Sequence, residues 1–104
     1  MLRIYDVMIR VIAELKRVLV MIEAHDRDLG RQLRRAAASV ALNVAEGSGC
    51  SGGTRRQRYK DALGSARETS ACLDVAEAFG YGVAAQSVRD GLRQVQATLV
   101  RVIV

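Results

Sequence analysis

Five side chains carry groups from which a buried polar site could be assembled: Ser39, Asn43 and Glu46 in one stretch, Ser65 and Glu68 in another. Ser39 and Asn43 are four residues apart, one helical turn on a shared face. Around them Ala36, Ala37, Val40, Ala41 and Val44 recur at three- and four-residue spacing and are nearly all small, so a neighbouring helix can approach closely. At such an approach Asn43 needs a hydrogen-bonding partner, because an unpaired buried polar group costs about 1–3 kcal/mol. Ser65 and Glu68, in the second small-residue segment at 62–68, are the candidates. Glu46 and Glu68, if the helices bring them together, form a carboxylate pair of the kind that performs acid–base work. With Asn43, Ser65 and Arg67 beside them, the composition favours a polar network that fixes helix register. No enzyme is expected, and no catalytic residue is assigned.

The remaining reactive side chains point the same way. His25 is the one histidine and has no second ligand at metal spacing, so no metal or cofactor is expected. Cys50 and Cys72 form neither a metal motif nor a redox pair, which predicts free thiols and a cytoplasmic setting. In the stretch 47–54 Gly47 and Gly52 have the spacing of a phosphate-binding loop, but Gly53 stands where the essential lysine would be and a helix precedes the loop instead of a strand. The loop reads as a flexible link, with Gly47 ending a helix.

Charge is the most informative part of the composition. The net charge of +5 is regional: residues 1–30 balance at five basic and five acidic, residues 31–60 carry seven basic and one acidic, and residues 61–104 carry four basic and five acidic. Arg31, Arg34, Arg35, Arg55, Arg56, Arg58 and Lys60 make up the basic segment. A clustered basic field attracts polyanions with salt-sensitive affinity, although a solvated surface that only aids solubility has the same composition. Four of these cations fall in the first turns of a helix starting near Arg55, where they oppose the macrodipole at about 0.3–1 kcal/mol for each close charge. Tyr59 beside them reads as core edge or as a stacking platform for an unpaired base.

These residues must be held by helices. With no proline, four aromatics and half of its 104 residues apolar, the chain favours uninterrupted helices filled by Leu, Val, Ile and Ala, in one domain spanning 1–104. The first helix, 2–24, has an inner seam of Ile4, Met8, Val11, Leu15, Val18 and Ile22, widened by Val7, Ile12, Leu19 and Met21. Charges at Arg3, Asp6, Arg10, Glu14 and Lys16 exclude a signal peptide or membrane span. Asp26 or Asp28 caps the second helix, 29–46. Thr54 and Gln57 form a capping-box pattern for the third, 55–78, whose inner face is Tyr59, Ala62, Leu63, Ala66, Ser70, Leu73 and Ala76. Gly80 supplies its terminal turn and Tyr81 folds back as an anchor. The fourth, 84–103, steps through Val88, Leu92, Val95, Leu99 and Val102. Short links make neighbours antiparallel, so the expected fold is an all-α, up-down-up-down four-helix bundle. Val100, Ile103 and Val104 leave the last turns apolar almost all round and mark an oligomer interface.

The combination Ser39, Asn43, Ala45, Glu46, Gly47, then Gly64, Ser65 and Glu68, with Gly80-Tyr81 after the third helix, resembles bacterial four-helix-bundle proteins first noticed as products of intervening sequences in large-subunit ribosomal RNA genes. The likeness covers roughly positions 29 to 81. Ala41 stands where that family often has proline, and residues 2–8 lack its usual aromatic opening. The resemblance implies a homo-oligomeric, pentameric ring. A similar pentameric bundle that lacks the Asn-x-Ala-Glu-Gly motif accompanies the reverse transcriptase of diversity-generating retroelements, a partner suggested by analogy only. The function expected is a non-enzymatic RNA- or DNA-binding or scaffold protein using the basic surface. The rival is a protein-interaction scaffold with no nucleic-acid role.

Overall fold

The computed structural model describes residues 1–104 as four helices and no strands: α1 Ile4–His25, α2 Arg27–Ser48, α3 Gly52–Ala78 and α4 Gln86–Ile103. Each helix packs against its neighbours in sequence, and α1 also packs against α4. The all-α architecture is as expected and its packing is that of a bundle. The core follows the four-and-three spacing closely. Ile4, Met8, Val11, Leu15, Val18 and Ile22 of α1 face Leu33, Val40 and Val44 of α2 and Val88, Leu92, Val95 and Leu99 of α4, all buried in one apolar cluster. Helix α3 contributes mostly small groups, Ala62, Ala66 and Ala76, with Leu73 and Tyr59 as its bulky members. Of the residues that widen the α1 stripe, Leu19 is buried, Val7 and Ile12 are half-buried, and Met21 is exposed. Val102 continues the α4 spacing but lies outside the core.

The element boundaries differ from the sequence expectation at the α2–α3 link, for a packing reason. Gly47 does not end α2; it is helical and buried, and a Cβ built there would overlap the Tyr59 ring. The glycine is a packing residue that lets α3 lay its one large aromatic side chain on the α2 backbone. Helix α2 therefore runs to Ser48, and α3 begins at Gly52, leaving 49–51 as the link. The capping box does not form: Ser51 is the N-cap without a side-chain bond, and Gln57 donates to Asp61 at 3.0 Å. Tyr59 is core, so its reading as a stacking platform is corrected.

Other termini obey local chemistry. The Asp26 carboxylate accepts from the Leu29 amide at 3.0 Å and caps α2, which starts two residues before the expected position. At the end of α3 the Gly80 amide donates to Glu77 O and the Tyr81 amide to Ala76 O, with Gly80 at φ +76°. This paired pattern is a Schellman turn, which needs a left-handed residue and so glycine. It folds Tyr81 back against the core. Near the start of α4, the Ser87 hydroxyl donates to Glu14 at 2.6 Å; this bond, with help from Arg10, holds the Glu14 carboxyl below its ordinary pKa.

Candidate nucleic-acid interface

Three of the five expected network residues meet between α2 and α3. The Ser39 and Ser65 hydroxyls share a hydrogen bond of 2.8 Å, and the Asn43 amide donates at 3.0 Å to both the Ser39 hydroxyl and the Ser39 carbonyl. Asn43 is half-buried, and its bonds run within its own helix, so Ser39 makes the crossing. Glu46 lies outside this group, exposed, and pairs with Arg58 at 3.3 Å. Glu68 is also exposed and makes no ion pair or hydrogen bond with Asn43. The two carboxylates are thus separated by role: one neutralises an arginine across the helix pair, and the other adds its charge to the burial that raises the pKa of the Cys72 thiol one turn away.

Polar contacts invisible to sequence spacing join α3 to α4. Gln96 of α4 donates to the Ser70 hydroxyl of α3 at 2.9 Å, next to the buried Thr69, which donates within α3 to Ser65 O at 2.8 Å. Arg89, only 19 % exposed at its side chain, bridges Asp74 at 2.8 Å and Glu77 at 3.1 Å. No spacing rule pairs residues across two helices whose register is unknown, and these depend on that register.

The seven basic residues divide into two groups. Arg55 donates to Gly47 O at 3.2 Å and Cys50 O at 2.8 Å, at the carboxyl end of α2; Arg56 donates to Ile103 O at 2.8 Å, at the carboxyl end of α4. A cation at a helix C-terminus is stabilising by about 0.3–1 kcal/mol. Cations that oppose the α3 dipole therefore complement the dipoles of its neighbours, and the arginine-rich first turn has a structural explanation for two of its four members.

The other five are exposed, and three of them, Arg31, Arg34 and Arg58, lie against a carboxylate. Arg31, Arg34 and Arg35 are exposed on α2; Arg31 sits 3.8 Å from Asp28, Arg34 bonds Glu23 at 2.9 Å, and Arg35 makes no ion pair. Arg58 and Lys60 are exposed on α3. Between the two helices lies an open groove of about 500 Å³, lined by Arg35, Ser39, Leu42, Asn43, Glu46 and Arg58. It presents two guanidinium groups, one of them paired with the Glu46 carboxylate, together with a hydroxyl, an amide and the exposed Leu42 side chain. No three His, Cys, Asp or Glu side chains converge in a way that could hold a metal ion, and no helix is long and apolar enough to cross a membrane.

The model of the family described as 23S rRNA-intervening sequence protein matches residues 1–101. The chain belongs to this family. Membership spans nearly the whole chain, including residues 2–8, where the sequence departs from the resemblance described above. No curated protein and no solved structure matches.

The thiols give a direct check on the packing around this interface. Burial, reinforced by the Glu68 charge, pushes the Cys72 thiol up, so it stays protonated and unreactive at neutral pH. Cys50 is half-exposed in the α2–α3 link. A maleimide reagent is expected to modify Cys50 quickly in the native protein and Cys72 only upon unfolding. Mass spectrometry showing equal rates would contradict the placement of α3.

Proposed function

We propose that the protein is a non-enzymatic, oligomeric nucleic-acid-binding scaffold of the cytoplasm, engaging RNA or DNA phosphates through Arg31, Arg34, Arg35, Arg58 and Lys60. The observation that carries this reading is Arg35 of α2 facing Arg58 of α3 across a groove, with Arg31 and Arg34 exposed on the same helix, within a segment carrying seven basic and one acidic residue. Arg55 and Arg56, which serve helix ends, contribute to the field and not to direct contacts. The family's description, which refers to intervening sequences of 23S rRNA, agrees with a setting in which RNA is at hand. The test is salt-dependent binding of structured RNA and duplex DNA, together with the arginine-to-glutamine variant described in the Discussion.

The bundle in this proposal is antiparallel, up-down-up-down, and assembles as a homopentameric ring. Supporting the first point, residues near the start of α3 meet the end of α4 through Arg56 and Ile103, and residues near the start of α4 meet the end of α3 through Arg89, Asp74 and Glu77. Supporting assembly, Val100 is 44 % exposed and Val104 fully exposed, with Ile103 half-buried beside them. A ring would repeat the basic patch and multiply weak contacts through effective concentration. Replacing Val100 and Ile103 together with glutamate is expected to dissociate the oligomer with helicity largely retained. An unchanged mass by light scattering would remove the α4 end from the interface.

The same exposed apolar residues favour the rival, a scaffold that binds protein and has no nucleic-acid role. Its affinity would change little with salt, whereas phosphate contacts weaken steeply.

A further inference from the structure

Three aromatic rings are stacked at the end of the bundle where α1 and α3 finish. The Tyr81 ring lies 5.2 Å from His25 at an interplanar angle of 8° and 5.2 Å from Phe79 at 16°, so Tyr81 is the middle of a near-parallel stack. Its two ends are open. His25 is exposed, and Phe79 is 67 % exposed, which leaves an aromatic face in water without a partner. The stack is rigid where it counts: Phe79 donates its amide to Val75 O at 3.0 Å, the Schellman turn fixes Gly80 and Tyr81, and Tyr81 packs against the core.

Cations lead away from this stack. Arg27 follows His25 by two residues, is exposed and makes no ion pair; Arg31 is one turn further along α2, about 6 Å in rise. The carboxylates nearby are largely engaged elsewhere: Asp26 caps α2, Glu23 holds Arg34, and Asp74 and Glu77 hold Arg89. Asp28 alone faces Arg31, at 3.8 Å.

We infer that the His25–Tyr81–Phe79 stack is a platform for unpaired nucleobases, which cap its open ends while the phosphates of the same strand pass Arg27 and Arg31. This inference rests on the nucleic-acid reading and specifies it: the ligand is single-stranded, as in a loop or an RNA end, since bases inside a duplex present no free face. Flat rings already held in place lose little freedom on binding, and stacking tolerates any base because every base has a π-face. Tyr59 cannot play this part because the Gly47 backbone covers it.

The test uses the full chain and labelled single strands of about ten nucleotides, within the usual site size of such surfaces. Each strand is compared with an abasic strand carrying the same phosphates and with a duplex. Wild-type protein is expected to prefer the base-bearing strand to the abasic one by roughly tenfold. Phe79→Leu, which keeps apolar bulk without a ring, is expected to lose that preference, and Phe79→Tyr to keep it. Equal affinity of the Leu and Tyr variants, or of base-bearing and abasic strands, would overturn the stack as a base platform while leaving salt-dependent phosphate binding intact. A change in oligomer mass on Phe79→Leu, with strand affinity unchanged, would overturn it in favour of a protein contact. Absence of any polyanion binding would overturn both this inference and the reading it rests on.

Discussion

Replacing Gly91 with leucine is expected to destabilise the protein by roughly 3 kcal/mol or more, a large part of the about 5–15 kcal/mol that holds a domain of this size together. Gly91 is buried in α4 where the helix crosses α1, and a Cβ built there meets Val11 Cγ2 at 2.6 Å and Arg10 Nη2 at 3.1 Å. Val11 is itself fully buried, and its branched side chain has no free direction in which to move. Leucine must therefore push α4 off α1, and a fall in melting temperature on the order of 10–20 °C follows. Gly91→Ala sets about 1 kcal/mol of helix propensity against the same overlap, for a small net loss. Gly64, also within a helix, has no atom within 4 Å of its Cβ position, so Gly64→Ala should instead gain up to about 1 kcal/mol. Thermal and urea unfolding followed by circular dichroism read all three. A Gly91→Ala gain equal to that of Gly64→Ala would mean that α1 and α4 are not in close contact.

Changing Arg31, Arg34 and Arg35 together to glutamine is expected to reduce the slope of log affinity against log salt by roughly 2–3, and affinity at low salt by at least about an order of magnitude. Each guanidinium that neutralises a phosphate releases a counterion, so the slope counts contacts. Stability should hardly change, because all three side chains are exposed and their ion pairs are surface pairs. Arg56→Gln should show the opposite pattern. Its guanidinium serves the Ile103 carbonyl, so removing it weakens the join between α3 and α4 and leaves the salt slope nearly unaltered. If the triple variant binds with wild-type slope, the α2 face does not hold the phosphates.

The core was legible in the sequence because helical spacing fixes which residues point inward, and α1 and α4 obey it with few exceptions. The Ser39–Ser65 crossing was legible in part: small residues flag a close approach, but which hydroxyl faces which depends on axial register. Asn43 therefore reads as needing a partner on α3, yet it bonds within α2. In the sequence Gly47 reads as a helix stop, because glycine serves equally to end a helix and to admit a ring, and only the position of Tyr59 decides between them. Arg55 and Arg56 looked like a burden on α3 because the carbonyls they serve belong to helices brought near by folding. The aromatic stack is not legible in the sequence, because His25 and Tyr81 are far apart in it and only the fold brings their rings together.

The most direct measurement is the affinity of the purified protein for labelled structured RNA and duplex DNA across a salt series, with oligomer mass monitored in parallel. The expected result is binding that weakens linearly in log–log form with a slope reflecting several phosphate contacts, at constant mass. No binding at low salt, or an affinity indifferent to salt, would contradict a phosphate-gripping surface on α2 and α3 and make the protein-binding scaffold the reading to pursue.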